Sequence, residues 1–152
     1  MIAPTQTRGY LNNNPGNMDR SEPPWNGEIR DVAQCQNDVQ RAELTHDRFC
    51  VFKSAIYGIR AMAKNLIAYH DRLGCRSVQD YINRWAPPNE NNTDAYVASV
   101  ARRLGVTPTD EVDIHNPEVM ALLIDAIIRV ECAGMPYTGN EIAEGMQLAG
   151  IG

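Results

Sequence analysis

The residue best placed for proton chemistry is Glu131. It follows the nearly uninterrupted apolar run Val119-Met-Ala-Leu-Leu-Ile-Asp-Ala-Ile-Ile-Arg-Val130 and falls in the last turn of the helix that this run predicts. Burial penalises the carboxylate form, and the negative end of a helix dipole penalises it again. Both raise the pKa, as a general acid working near neutral pH requires. The competing reading is a helix-end Glu turned to solvent or paired with a neighbouring Arg. Glu90, in Trp85-Ala-Pro-Pro-Asn-Glu-Asn-Asn-Thr93, is the next candidate, and could equally serve the N-terminus of the helix that follows. Asp47 and Glu28 lie in loop-rich sequence, where acidic side chains are ordinarily solvated. Trp25, Tyr96, Tyr137 and Trp85 offer flat faces that could stack on sugar rings. Core packing is the competing fate, above all for Trp85 and Tyr96 on helix faces.

Other chemistries find less support. Cys35, Cys50, Cys75 and Cys132 show no C-x-x-C spacing. His46 and Cys50 lie four apart without a second ligand pair, so no metal centre and no cofactor are expected. Mostly buried free thiols are expected, with one or two disulfides as the alternative. No phosphate-binding loop, nucleophile elbow or H-E-x-x-H motif occurs. A net charge of -5, with no basic cluster beyond Arg102-Arg103, argues against a nucleic-acid partner. No basic stretch leading into a long apolar one opens the chain, and no apolar run is long enough to cross a bilayer. The expectation is a chain made in the cytoplasm without a signal peptide, and with no membrane insertion.

These candidates need elements to hold them. A length of 152 residues fits one domain with one sizeable core. Up to about Cys50 the sequence is dense in Asn, Pro and Gly, which is turn chemistry. A short strand near Phe49–Phe52 is expected there, pairing with something near Glu28 to Val32. From Ser54 onward the apolar period becomes helical. Ser54 caps a helix bearing Ile59, Met62, Leu66 and Ile67 and stopped near Gly74. Ser77 and Asp80 form a capping box for a second helix, ended by Pro87-Pro88. Tyr96, Val97, Val100 and Leu104 mark a third, closed by Gly105. Asn116 and Pro117 open the fourth, the Val119–Val130 run, which is apolar nearly all round and expected to be buried on most sides. Asp125 and Arg129 should pair on its one polar stripe. Thr138 and Glu141 open a fifth.

Several stretches together resemble a family of phage and prophage proteins with a lysozyme-like domain. Arg8-Gly-x-x-Asn-Asn-Asn-Pro-Gly-Asn17 is similar to that family's opening signature. Trp25-x-Gly27, Phe49-x-x-Phe52, Tyr57-Gly-Ile-Arg-Ala61, Arg84-Trp-Ala-Pro-Pro88 and Glu90-Asn-x-Thr93-x-x-Tyr96-Val97 follow in the same order. The likeness runs from about Arg8 to Gly145. A second likeness joins Glu90-x-x-Thr93-x-x-Tyr96-Val97-x-x-Val100 to a late pattern of soluble lytic transglycosylases. Their catalytic Glu comes early, at the end of a buried helix; here Glu131-Cys-Ala-Gly134 matches that context at the back of the chain. The order looks circularly permuted.

The resemblance implies a mainly α (α+β) lysozyme-like single domain spanning 1–152. It would comprise a loop-rich, irregular or β lobe over 1–53 and a helical lobe over 54–152, with about five helices around a buried C-terminal helix. It implies cleavage of the MurNAc–GlcNAc β-1,4 bond of peptidoglycan, by a lytic transglycosylase or a muramidase such as an endolysin. Glu131 and Glu90 would be catalytic, and Asn13, Asn14, Trp25, Asp47, Tyr96 and Tyr137 would bind substrate. A hydrolase needs a second carboxylate, for which Glu90, Asp47 and Glu28 are all available. The partners implied are a glycan strand of the cell wall and virion or secretion-apparatus proteins. If the permutation holds, Asn13, Asn14 and Gly16 must lie close to the end of the Glu131 helix, beside Tyr96. The alternative from another class is a non-catalytic virion or peptidoglycan-binding protein that retains the fold.

Overall fold

The computed structural model describes residues 2–46 and 48–152, and is mainly helical. In chain order the helices are α1 (Arg8–Leu11), α2 (Asp38–His46), α3 (Ala55–Leu73), α4 (Val78–Trp85), α5 (Thr93–Leu104), α6 (Pro117–Glu131) and α7 (Gly139–Leu148). Short 3-10 turns occupy Pro4–Gln6 and Val32–Gln34. No helix among the described residues is long and apolar enough to cross a membrane.

The five helices from α3 to α7 stand where the apolar period and the caps put them. Ser77 accepts from the Asp80 N–H while Asp80 reaches back to the Ser77 N–H, and Thr138 and Glu141 repeat the arrangement at α7. Gly74 and Gly105 close α3 and α5 in the left-handed region. Ser54 precedes α3, but its hydroxyl makes no capping bond. α3 packs on α4, α6 and α7, while α6 packs on α3, α5 and α7. Their inward faces merge into one apolar cluster. Ile59, Met62 and Leu66 of α3 meet Tyr81 and Ile82 of α4, Val100 of α5, Leu123, Ile124 and Ile127 of α6, and Met146 of α7. Each such side chain contributes about 1.5–3 kcal/mol when removed from water. Asp125 pairs with Arg129 at 2.8 Å as expected, and also with Arg103 of α5 at 2.8 Å.

α6 is buried on most sides, as expected, through Met120, Leu123, Ile124, Ala126, Ile127 and Ile128, but it is not wholly enclosed. Leu122 is 40% exposed, on the side of α6 that carries Glu118, Asp125 and Arg129, and Val130 is 39% exposed on another side, beside Asn92 and Ala95. An apolar residue at the surface costs little, so apolar composition alone overstated how far the helix is enclosed.

The N-terminal third also holds more helix than its turn chemistry suggested. α2 went unseen because its buried positions are Gln40 and Glu43, not apolar ones. The Gln40 amide donates to the Leu11 carbonyl at 2.9 Å and its oxygen accepts from the Gln36 N–H at 2.8 Å. Glu43, 2% exposed, accepts from the Asn12 amide at 3.2 Å and the Phe49 N–H at 3.1 Å, and pairs with Arg8 at 3.2 Å. The expected strand is present in reduced form. Residues 49–52 run extended between two neighbours, Cys50 N–H donating to Met18 and Ile29 N–H donating to Val51, with isolated bridges Asp19–Phe49 and Glu28–Phe52.

The Asn-rich loop wedges itself between this region and the helices. A Cβ on Gly58 of α3 would stand 2.2 Å from the Asn13 carbonyl oxygen, and one on Gly16 would stand 2.6 Å from the Trp85 ring. Glycine at those two points is what lets the loop reach the helical core.

A candidate acid site at the end of α6

Because the loop reaches so far in, its last residue meets the end of α6. Asn17, in the left-handed region at φ 49°, donates from Nδ2 to Glu131 Oε1 at 2.8 Å. From the other side Tyr96 of α5 donates its hydroxyl to Glu131 Oε2 at 2.8 Å. Cys132 lies against the loop as well, its Sγ 3.7 Å from the Pro15 carbonyl oxygen. Both oxygens of Glu131 therefore face neutral donors, and no basic side chain among the described residues pairs with it. Arg129, the neighbour that could have neutralised it, is turned to Asp125.

The electrostatics follow from that geometry. Burial pushes the Glu131 carboxyl above its ordinary value, and the Asn17 and Tyr96 hydrogen bonds offset part of the rise. Its place in the last turn of α6 adds the negative end of the helix dipole. Burial, then the charge of Glu131, drives the Tyr96 hydroxyl far up, so it stays protonated and remains a donor.

Glu131 lines a cleft of about 300 Å³. One bank is the loop from Gly16 to Ser21 with Trp25, Arg48 and Phe49; the other is the end of α4 with Arg84, Trp85, Pro87, Glu90 and Asn91. Asn65 and Tyr69 of α3 close the back. Trp85 stands edge-on to Tyr69 at 6.2 Å and donates its indole N–H to the Gly16 carbonyl at 3.1 Å, which fixes that wall. Arg48 spans the two banks, pairing with Asp19 at 2.9 Å and Glu90 at 2.9 Å.

The candidates read from sequence divide sharply here. Glu131, Glu90 and Trp25 share the cleft. Glu90 is not the cap of α5, a role taken by Asn92, and its carboxylate is held by Arg48. Of the two fates open to Tyr96, sugar platform or core packing, the structure shows the second: its ring is buried, and its hydroxyl holds Glu131. Asn14 is fully buried, donating to the Met18 and Cys50 carbonyls at 3.0 Å each and accepting from the Met18 N–H. Asn13 donates to the Phe52 carbonyl at 2.9 Å and faces a separate depression beside Tyr137. Both amides replace backbone pairing inside the loop, so neither reaches the cleft. Tyr137 is buried against Tyr10, ring centroids 5.8 Å apart, on that other side. Glu28 is turned inward, accepting from the Trp25 N–H and pairing with Arg30, and does not line the cleft. Asp47 lies outside the described residues. All four cysteines are free thiols, three of them buried, as expected.

Sequence reasoning passed over Asn17, Arg48, Asn65, Tyr69 and Arg84. Two of them carried a signal: Arg84 opens the Arg84-Trp-Ala-Pro-Pro88 stretch, and Asn17 ends the Asn-Asn-Asn-Pro-Gly-Asn signature, after a Pro-Gly turn that invites a left-handed Asn.

No family model matches the chain. It is similar to Protein P5 of Pseudoalteromonas phage PM2, at 34% identity over 152 residues, covering 95% of this chain and 85% of that protein. A likeness of that level over nearly both full lengths does not arise from one shared motif, and the chain belongs to the family of this phage protein.

Proposed function

We propose that the chain is a lysozyme-like, circularly permuted peptidoglycan-cleaving enzyme acting on the MurNAc–GlcNAc β-1,4 bond at the cell wall. One observation carries the proposal: a carboxyl group at the end of a buried helix, raised by burial, held by two neutral donors and opening on a cleft. A protonated Glu131 gives its proton to the glycosidic oxygen as the C1–O bond breaks, leaving positive charge shared between C1 and the ring oxygen. The Glu131 carboxylate then takes the proton of the same sugar's 6-hydroxyl. That oxygen closes on C1, giving a 1,6-anhydro end without consuming water.

This one-acid route is favoured over hydrolysis by the fate of the other acids in the cleft. Asp19 and Glu90 are both paired with Arg48, so among the described residues neither is a bare carboxylate facing Glu131. A hydrolase needs such a second group as nucleophile or base. Trp25 and Trp85 supply the apolar faces on which sugar rings pack.

Digestion of purified peptidoglycan with the full chain, followed by mass spectrometry of the released fragments, tests the proposal. Anhydro ends support the one-acid route and reducing ends support a muramidase. Absence of release would leave a non-catalytic phage protein that retains the fold.

A further inference from the structure

Away from the cleft, at the C-terminal end of α3, two of the chain's three histidines come together with an aspartate. We infer that His70, Asp71 and His115 form a binding site for a divalent transition-metal cation of the zinc type. One ligand atom from each residue lies within 4.8 Å of the others. His70 belongs to the last turn of α3, whereas His115 lies in the turn just before Asn116, the cap of α6. α4 and α5 intervene in the sequence, so the meeting is a product of the tertiary fold. The two imidazoles stand edge to face, centroids 4.9 Å apart and planes at 82°, and Asp71 Oδ1 is 2.8 Å from His70 Nδ1.

The donor set selects the ion. Imidazole nitrogen with one carboxylate oxygen suits zinc, nickel, cobalt or copper, and is a poor match to calcium or magnesium, which prefer oxygen. Zinc bonds of about 2.0–2.1 Å in a tetrahedron place neighbouring ligand atoms about 3.3 Å apart. The widest gap in the cluster would therefore close by up to about 1.5 Å around such an ion, while Asp71 Oδ1 and His70 Nδ1 already stand within that spacing. His115 and Asp71 are exposed, and with Asp71 already against His70 the adjustment falls mainly to the His115 ring. The C-terminal end of α3 favours a cation. Arg76, whose guanidinium donates to the His70 carbonyl at 3.4 Å and the Cys75 carbonyl at 3.1 Å, opposes it. The site is consequently open and of moderate affinity, with its remaining position left to water. None of the three residues lines the Glu131 cleft, so the ion has no part in proton transfer there. It ties the end of α3 to the turn that launches α6 and raises stability by binding only the folded chain.

Titration of the chelator-stripped full chain with zinc chloride, read by calorimetry and thermal denaturation, tests this. One saturable equivalent per chain is expected, with a rise in Tm. His115→Ala should weaken the affinity by at least about tenfold and remove the rise, whereas Cys35→Ser, which removes the most accessible thiol, should change neither. On the unmodified protein, zinc should shift the imidazole nitrogen resonances of His70 and His115 and leave those of His46 in place. Absence of saturable binding, binding that survives His115→Ala, or resonance shifts that spare His70 and His115 would each overturn the inference.

Discussion

Two carboxylates are withdrawn from water on either side of the Asn-rich loop, and their surroundings have opposite consequences. Glu43 of α2 is the more deeply buried, yet every neighbour commits it to a structural role: the Asn12 amide, the Phe49 N–H and the Arg8 guanidinium all converge on it. Glu131 of α6 has two donors and, among the described residues, no cation, and it opens on a cleft. The same loop serves both, Asn12 gripping one acid and Asn17 the other. Burial alone therefore does not fit a carboxyl group for the acid role proposed for Glu131. What distinguishes the two is the missing counter-charge and an approach route for a ligand.

The contrast breaks most visibly under matched substitutions. Glu131→Gln keeps the shape but removes the transferable proton, so glycan cleavage should fall by roughly 10²- to 10⁴-fold while circular dichroism stays unchanged. Glu43→Ala should behave in the opposite sense. Stranding the Asn12 amide and the Phe49 N–H should cost about 3 kcal/mol of unfolding free energy in a denaturant titration, at about 1–3 kcal/mol per unpaired buried group. Under conditions where that variant remains folded, its cleavage rate should stay within a few-fold of the parent. If the two substitutions had similar effects on rate, the distinction between the acids would be lost.

A smaller effect probes the loop that joins them. Gly58→Ala sets a methyl group against the Asn13 carbonyl, 2.2 Å from its oxygen, and should destabilise by about 1–3 kcal/mol as the loop is pushed away. Because Asn17 travels with that loop, cleavage should fall along with stability, unlike in Glu43→Ala. Full activity in a destabilised Gly58→Ala protein would show that Asn17 need not be held where it is.

How far this was visible in advance depends on the kind of interaction. The helices α3 to α7 announce themselves through caps and apolar period, because those signals lie within a few residues of one another. Glu131 was legible for the same reason: a long apolar run and a helix end are both local. α2 was not, since its buried face is Gln40 and Glu43 and its stability comes from partners on the Asn-rich loop. The asparagines show the limit most clearly. Asn13, Asn14 and Asn17 are chemically identical, and only the tertiary fold decides which two satisfy backbone carbonyls and which one faces an acid. Tyr96 was picked out for its ring, whereas the structure uses its hydroxyl.

The proposed chemistry depends on the state of the Glu131 proton. With the side-chain carboxyl carbons labelled, its titration can be followed by NMR alongside the pH dependence of glycan cleavage. Glu131 should titrate above the ordinary value of 4.5, and activity should decline as pH rises through that same point, because the acid must be protonated to donate. Tyr96→Phe removes a hydrogen bond that favours the carboxylate, so both the titration and the alkaline limb of activity should move together to higher pH. A Glu131 that titrates at or below 4.5, or an activity limb that stays put when its titration moves, would contradict the assignment of this residue as the general acid.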